Sequence, residues 1–445
     1  MNIILLSGGS GKRLWPLSNE VRSKQFLKLL RDENGQLQSM IQRVYNQLCQ
    51  CNMAENVLVA TGKAHVNNIQ TQLGDGVKLV IEPERRDTFP AIALASAYLA
   101  WKEKRPLNEA AVVLPVDPFA KIGYFEAARS AGEAVEKDIC ELMLMGAKPT
   151  VPTIKYGYMV PSGEIADGVL GIERFYEKPD IETARMLIDN NALWHCGVFA
   201  FKLEYVTDIL KKQYGFTTYE EVYENYNMLK KTSFDYAVVE NAPSMATVVY
   251  DGIWKDLGTW NTLTEEMGAE SLGNVIMGEE TENTNVVNEL DIPLVVLGTK
   301  NLVIAASPDG ILVTDKEKSS YMKPYVDKLD RRPMYEERVW GEYKVLGYDS
   351  YKNGQDSLTK HMLIKAGQAI SYQRHTHRDE IWTFVDGTGD LLIDGHIRNV
   401  RRGDVAYITA GMMHSIRAIT DLHFVEVQIG TELIEEDVER FQWTW

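Results

Sequence analysis

The chain opens on a short apolar run, Ile3 to Leu6, that passes directly into Ser7-Gly8-Gly9-Ser10-Gly11-Lys12-Arg13-Leu14-Trp15-Pro16. A glycine-rich turn between a strand and a helix start lets backbone N–H groups close on a phosphate chain, and Lys12 and Arg13 add positive charge beside it. A nucleotide is therefore expected at this turn, held by Gly8, Gly9, Gly11, Lys12 and Arg13. The turn is not a P-loop, because Arg13 rather than Ser or Thr follows Lys12. Nor is it a dinucleotide fingerprint, because Leu14 stands where that pattern needs a glycine.

A length of 445 residues allows two or three domains, each with its own core. The net charge of −16 argues against nucleic acid as a partner and leaves an anionic substrate dependent on a few placed cations and a divalent ion. No apolar run reaches membrane-spanning length and the opening strand is too short for a signal peptide, so a cytoplasmic protein with no membrane partner is expected. Cys49, Cys51, Cys140 and Cys196 are too scattered for a disulfide framework or a zinc cage. Histidine is skewed, with six of eight in the last 85 residues, which predicts a C-terminal domain with chemistry of its own.

Up to about Arg105, strands such as Val57–Ala60 and Lys78–Ile81 alternate with helical stretches such as Pro90–Lys102. This alternation predicts βαβ units and a mostly parallel sheet covered by helices. A further strand, Ala111 to Pro115, leads to Asp117, and ligands in open α/β sheets sit beyond the carboxyl ends of strands. From about Gly268 short β pieces at 286–287, 294–297 and 302–305 predict a small β-helix-like connector, and the charged stretch 327–332 before Pro333 predicts a linker. Beyond Trp340, closely spaced strands with glycine-containing turns predict an all-β barrel or sandwich. The expected domains are residues 1–267, 268–333 and 334–445.

The opening loop resembles the GxGxRLxP loop of sugar-1-phosphate nucleotidylyltransferases, in the SGGxGxRLWPLS form of mannose-1-phosphate guanylyltransferases. Leu114-Pro115-Val116-Asp117 resembles the family's LPxDH, with Pro118 in place of histidine, and Trp254 to Trp260 resembles W-x-D-[VIL]-G-[ST]-W. Alone, each aspartate reads equally well as a turn or N-cap residue. The resemblance implies a Rossmann-like nucleotidyltransferase domain in which Asp117 and Asp256 bind catalytic Mg2+, Arg13 stabilises charge on the triphosphate and Lys24 reaches the phosphates. It also implies that Glu177 meets the sugar hydroxyls and Lys178 the sugar phosphate.

Glu82-Pro83 with Arg86-Asp87-Thr88-Phe89 resembles the EPxxRNTAPAIA region that contacts base and ribose, with Asp87 and Phe89 replacing Asn and Ala. Gly157 and Tyr158 match the TGYGYI turn beneath the sugar. His195, Cys196 and Gly197 stand in the place of WNSGMF, His195 and Cys196 replacing the Asn and Ser that touch the hexose. The implied reaction joins GTP and α-D-mannose 1-phosphate into GDP-mannose with release of pyrophosphate. Another nucleotide or sugar 1-phosphate, such as CTP, or a heptose or glucose 1-phosphate, stays open, as does a non-catalytic sugar-nucleotide sensor.

In the last domain His375 and His377, at i and i+2, are expected on one face of a strand, with Glu380 soon after and His414 on a second hairpin. Such a set suits Zn2+ or another first-row divalent ion. Flanked by Gly367 and Gly387, the pattern is similar to a cupin, and in context to the C-terminal domain of type II phosphomannose isomerases fused to guanylyltransferases. Arg374, Thr376, Thr409 and Ser415 depart from that pattern, which leaves an isomerase and a structural metal cupin both open. A homodimer through the β connector stays open too.

Overall fold

The computed structural model describes residues 1–9, 11–329 and 331–445; Ser10 of the glycine loop and Asp330 of the expected linker lie outside them. The described chain forms two units. The first contains 1–14, 23–270 and 316–321, and the second contains 15–22, 271–315 and 322–445.

In the first unit, strand Asn2–Ser7 lies between Val57–Gly62 and Ala110–Pro115, both parallel to it, near the middle of one large sheet. Ile3 and Leu5 pack into the core on one face and Ile4 into the core on the other. Because both faces are buried, these strands read as unbroken apolar runs rather than as alternation. Helix Thr88–Ala97 is buried from Phe89 to Ala97, packed between the sheet and the helices Leu203–Ile209 and Tyr219–Glu224. Strand Leu193–Lys202 enters antiparallel between Ala110–Pro115 and Leu142–Ala147. Among the described residues no helix is long and apolar enough to cross a membrane.

The glycine turn does not open a full helix. It leads into a single 3-10 turn, Gly11–Leu14, because Pro16 follows and disfavours the helical conformation at Trp15.

In the second unit, strand Ser271–Gly273 pairs in parallel with Asn285–Asn288, and that strand with Leu302–Ser307. Val275–Met277 pairs likewise with Leu294–Val296, so successive passes of chain stack as a β-helix does. Downstream, two antiparallel sheets enclose Leu358, Trp382, Phe384, Leu391, Ile416 and Phe424. Strand Leu422–Gly430 buries every second residue, the period of a strand with one face on a core.

Candidate active site and metal centre

Asp117 follows strand Ala110–Pro115, and Asp256 ends strand Trp254–Asp256. They meet because Trp254–Asp256 pairs antiparallel with Pro118–Ala120, with Asp256 opposite Pro118. Proline donates no hydrogen bond, which an edge ribbon of this kind tolerates.

Between the two carboxylates sits the Lys24 ammonium, 2.7 Å from Asp117 Oδ2 and 3.7 Å from Asp256 Oδ1. Burial pulls the Lys24 pKa down, but Asp117 and then Asp256 more than reverse this and leave it raised. Burial pushes both carboxyls up. At Asp117 the charge and hydrogen bond of Lys24 outweigh burial and hold the pKa below its ordinary value. At Asp256, farther from Lys24 and facing the Asp117 charge, the pKa stays raised.

Asp256 Oδ1 is buried without a hydrogen-bond partner, an acceptor that a cation would satisfy. Two hard oxygen donors and no soft ligand suit Mg2+. Gly258 belongs to this arrangement as well. A Cβ there would stand 3.0 Å from both Asp256 carboxylate oxygens.

The loop is held from behind by residues that the sequence did not mark. Arg85 Nη2 donates to the Gly9 carbonyl at 2.9 Å, and Ser23, just before Lys24, pairs with His65 at 2.8 Å. Gly9 has φ +116°, open to glycine, and a Cβ on Gly8 or Gly9 would meet no protein atom within 4 Å. Gly11 is buried, Lys12 half-buried and Arg13 exposed, and the Arg13 charge acts on Lys24, Asp117 and Asp256.

The three expected base and ribose residues are engaged with protein. Glu82 accepts from the Tyr226 hydroxyl at 2.7 Å, and Arg86 donates to the Leu229 carbonyl and to Glu84. Asp87, at φ +74°, caps helix Thr88–Ala97 by accepting from the Thr88 N–H. The carboxylate thereby satisfies the first N–H of that helix.

Among the residues expected at the sugar, Glu177 contacts Lys178, and a Cβ on Gly157 would come within 2.8 Å of Glu177 Oε2. Tyr158 is fully buried and its hydroxyl bonds the Thr153 backbone, so it supports the turn from below and does not face the cleft. Gly197, at φ +70°, lies where the pairing of Leu193–Lys202 with Leu142–Ala147 shifts register between His195 and Phe199. This bulge sets the His195 side chain between Phe175 and Phe199, with Nε2 at 3.4 Å from Asp235 Oδ1. Asp235 was not legible in the sequence.

Burial lowers the His195 pKa from 6.5 to about 4, and burial raises that of Asp235 from 3.8 to about 6. The neighbouring charges are Glu177 and Lys178 at His195, and Lys178 and Asp87 at Asp235. The two shifts oppose each other. Neutral His195 contributes stability above pH 6.5 that is lost as pH falls toward 4, whereas protonated Asp235 contributes stability at low pH that is lost as pH rises through 6. Between pH 4 and 6 the pair is expected to be nearly pH-neutral. Asp235→Asn should then lose about 3 kcal/mol of stability as pH falls from 6.5 to 4, and His195→Asn should show the reverse slope, both read from urea midpoints across pH.

In the second unit His375, Glu380 and His414 are buried and bring one ligand atom each within 4.8 Å of the others. His375 Nε2 is 3.2 Å from Glu380 Oε1, and His414 Nε2 is 3.6 Å from Glu380 Oε2. Spans of this size are the edges of a tetrahedron with bonds of about 2.1 Å. The Nδ1 atoms pair with the Asp437 and Met412 carbonyls, which turns each Nε2 lone pair toward the cluster. His414 Nε2 has no hydrogen-bond partner among the described residues. Burial lowers both imidazole pKa values, while at Glu380 the charges of His414, His375 and Arg378 outweigh burial and lower it. Neutral imidazoles and an ionised carboxylate are the forms that bind a metal.

His377 is not part of this cluster. Strand Tyr372–Arg374 ends before His375, so the two-residue period does not carry across Thr376, and the His377 ring, 49% exposed, pairs with Asp437. Asp437 also accepts from the backbone N–H groups of Thr376 and His377, fixing the turn that points His377 away. Gln373, opposite His414 in the sheet, places its amide 3.4 Å from His375 Nε2, a neighbour the sequence reading passed over.

The nucleotidyl transferase family profile matches residues 2–271, and the mannose-6-phosphate isomerase C-terminal profile matches residues 330–443. Domains of both kinds generally use divalent metals. The chain is 31% identical to the mannose-1-phosphate guanylyltransferase of Escherichia coli, over 98% of this chain and 97% of that protein. It is 30% identical to the alginate biosynthesis protein AlgA of Pseudomonas putida, over 99% of this chain and 95% of that one. A solved structure described as mannose-1-phosphate geranyltransferase from Thermus thermophilus aligns with a TM-score of 0.61 at 29% identity, covering 74% of this chain and 99% of that one. The glycine loop, the paired aspartates and the full-length likeness agree: this chain belongs to the mannose-1-phosphate guanylyltransferase family, a nucleotidyl transferase joined to a mannose-6-phosphate isomerase C-terminal domain.

Proposed function

We propose that the first unit makes GDP-mannose and pyrophosphate from GTP and α-D-mannose 1-phosphate. The observation that carries this reading is the convergence of Asp117 and Asp256 on Lys24 in the unit that also carries the glycine turn. Arg13 and Lys12 hold the triphosphate, and Lys178 holds the sugar phosphate. As the triphosphate enters, Lys24 exchanges a carboxylate for a phosphate oxygen. Mg2+ bound at Asp117 and Asp256 supplies charge neutralisation on the phosphate oxygens. An oxygen of the sugar phosphate attacks the α-phosphorus, the bond to the bridging oxygen breaks, and pyrophosphate leaves with that electron pair. Positioning and charge suffice, and no covalent enzyme intermediate is required. The use of a nucleoside triphosphate and a sugar phosphate as substrates supports a cytoplasmic location.

Pyrophosphate release from ATP, CTP, GTP and UTP, each with mannose, glucose and heptose 1-phosphates, tests the assignment. GTP with mannose 1-phosphate is expected to give the highest kcat/KM, and any other pair ranking first overturns it.

A second activity, interconversion of mannose 6-phosphate and fructose 6-phosphate, is supported by a cavity of about 110 Å³ lined by Lys360, Arg378, Glu380, Glu426 and Gln428. Burial, with the Glu380 charge, raises Glu426 from 4.5 to about 7, a value suited to proton transfer near neutral pH.

A further inference from the structure

The ribbon that brings Asp256 to Asp117 is small: the three residues Trp254–Asp256 pair with the three residues Pro118–Ala120 in a sheet of two strands. Two strands of this length are marginally stable by themselves in water. The carboxylates at its end must nevertheless keep their spacing to about 0.5 Å if they are to share an ion. Their separation therefore depends on what holds the ribbon.

At the Asp256 end the ladder is weak. Asp256 lies opposite Pro118, which has no N–H to donate, and the Leu257 N–H reaches the Asp117 carbonyl only at 3.4 Å. The other end is held by Tyr250. Trp254 lies opposite Ala120, so Ile253 and Lys121 are the next pair in register. The Tyr250 hydroxyl stands between them, accepting from the Lys121 N–H at 3.2 Å and donating to the Ile253 carbonyl at 3.2 Å. One phenol thus takes the place of the next rung of the ladder and bonds the chain of both strands. Arg43 and Gln47, by contrast, donate to the Ala120 carbonyl and so hold one strand only.

Tyr250 is itself fixed. It ends strand Ala246–Tyr250, where it pairs with Ala147 of the main sheet, and its buried ring meets Tyr124 edge-on at a centroid distance of 5.7 Å. Room for the phenol comes from Gly252, where a Cβ would stand 2.4 Å from the hydroxyl oxygen. The side chain therefore ties the ribbon to the large sheet. We propose that Tyr250 is a positioning residue for the carboxylate pair: its hydroxyl sets the separation of Asp117 and Asp256, and with it the affinity of the site for a divalent cation. This rests on the metal role given to that pair above.

The test titrates Mg2+ calorimetrically into the full chain, as wild type, Tyr250→Phe, Gly252→Ala and Asp256→Asn. The heat that Asp256→Asn removes belongs to the carboxylate pair, which sets it apart from binding at the histidine cluster. Tyr250→Phe keeps the ring and its packing and removes both hydrogen bonds. It is expected to weaken Mg2+ binding at the pair about 10-fold, and to raise the Mg2+ concentration for half-maximal pyrophosphate release as much, with kcat at saturating Mg2+ within about twofold. Gly252→Ala, which displaces the phenol without removing it, is expected to move both constants the same way. A merely structural role would lower the melting temperature and leave the Mg2+ constants unchanged; unchanged constants in either variant overturn the proposal. If Asp256→Asn binds Mg2+ as the wild type does, the metal role of the pair falls and the proposal with it. If Asp256→Asn loses Mg2+ and Tyr250→Phe does not, the metal role stands and the proposal alone is overturned.

Discussion

Asp256→Asn is expected to lower kcat for nucleotidyl transfer about 10³-fold while leaving the melting temperature unchanged or slightly raised. The carboxyl is buried, its pKa is raised by burial and by Asp117, and one oxygen has no hydrogen-bond partner. In the absence of substrate its charge is therefore a strain on the fold, and neutralising it relieves that strain. Asp117→Asn should abolish turnover to the same degree but destabilise the chain by about 1–2 kcal/mol. It removes the nearer partner of the Lys24 ammonium at a position where a third of the Asp117 side chain meets solvent. Steady-state kinetics with thermal melts of the two variants side by side check this. Retained turnover in Asp256→Asn would remove that carboxylate from the mechanism.

Glu380→Gln is expected to abolish metal binding by the second unit and to destabilise it by about 3 kcal/mol. The loss leaves Arg378, whose side chain is 6% exposed and whose Nε lies 3.0 Å from Glu380 Oε1, without its closest counter-charge. It also removes the carboxylate that both His375 and His414 face. Metal content after dialysis should fall from one ion per chain to none. His377→Ala, by contrast, should keep its metal, because His377 faces Asp437. Any fructose 6-phosphate to mannose 6-phosphate conversion should disappear in Glu380→Gln and persist in His377→Ala. Metal retained in Glu380→Gln, or lost in His377→Ala, would show that the ligand set is wrong.

Much of the first unit was legible because its elements are local. Runs such as Ala110–Pro115 are apolar throughout and Asp117 follows two residues on, so strand and candidate site residue could be read together. Asp256 was legible only through its motif, since an aspartate before Leu-Gly is by itself an ordinary turn residue. What brings it to Asp117 is the pairing of Trp254–Asp256 with Pro118–Ala120, two short segments whose partnership no local pattern announces.

The expectation for His377 failed on one physical point. Alternation of side chains holds only while the chain remains extended, and Asp437, remote in sequence, folds Thr376 and His377 into a turn. Asp235 escaped notice for the opposite reason. An aspartate after a serine N-cap reads as helix-start chemistry, and only the burial of Phe234 and the bulge at Gly197 set it against His195.

By itself, then, the amino-acid order determined the periodicities, the phosphate turn and the supply of carboxylates, imidazoles and cations, because these depend on neighbours along the chain. Which oxygen shares an ammonium, which histidine points into the cluster and which buried group lacks a partner were decided by the tertiary structure alone. Those are distances of about 3 Å between residues far apart in sequence, and hydrogen bonding and charge at that range follow from packing.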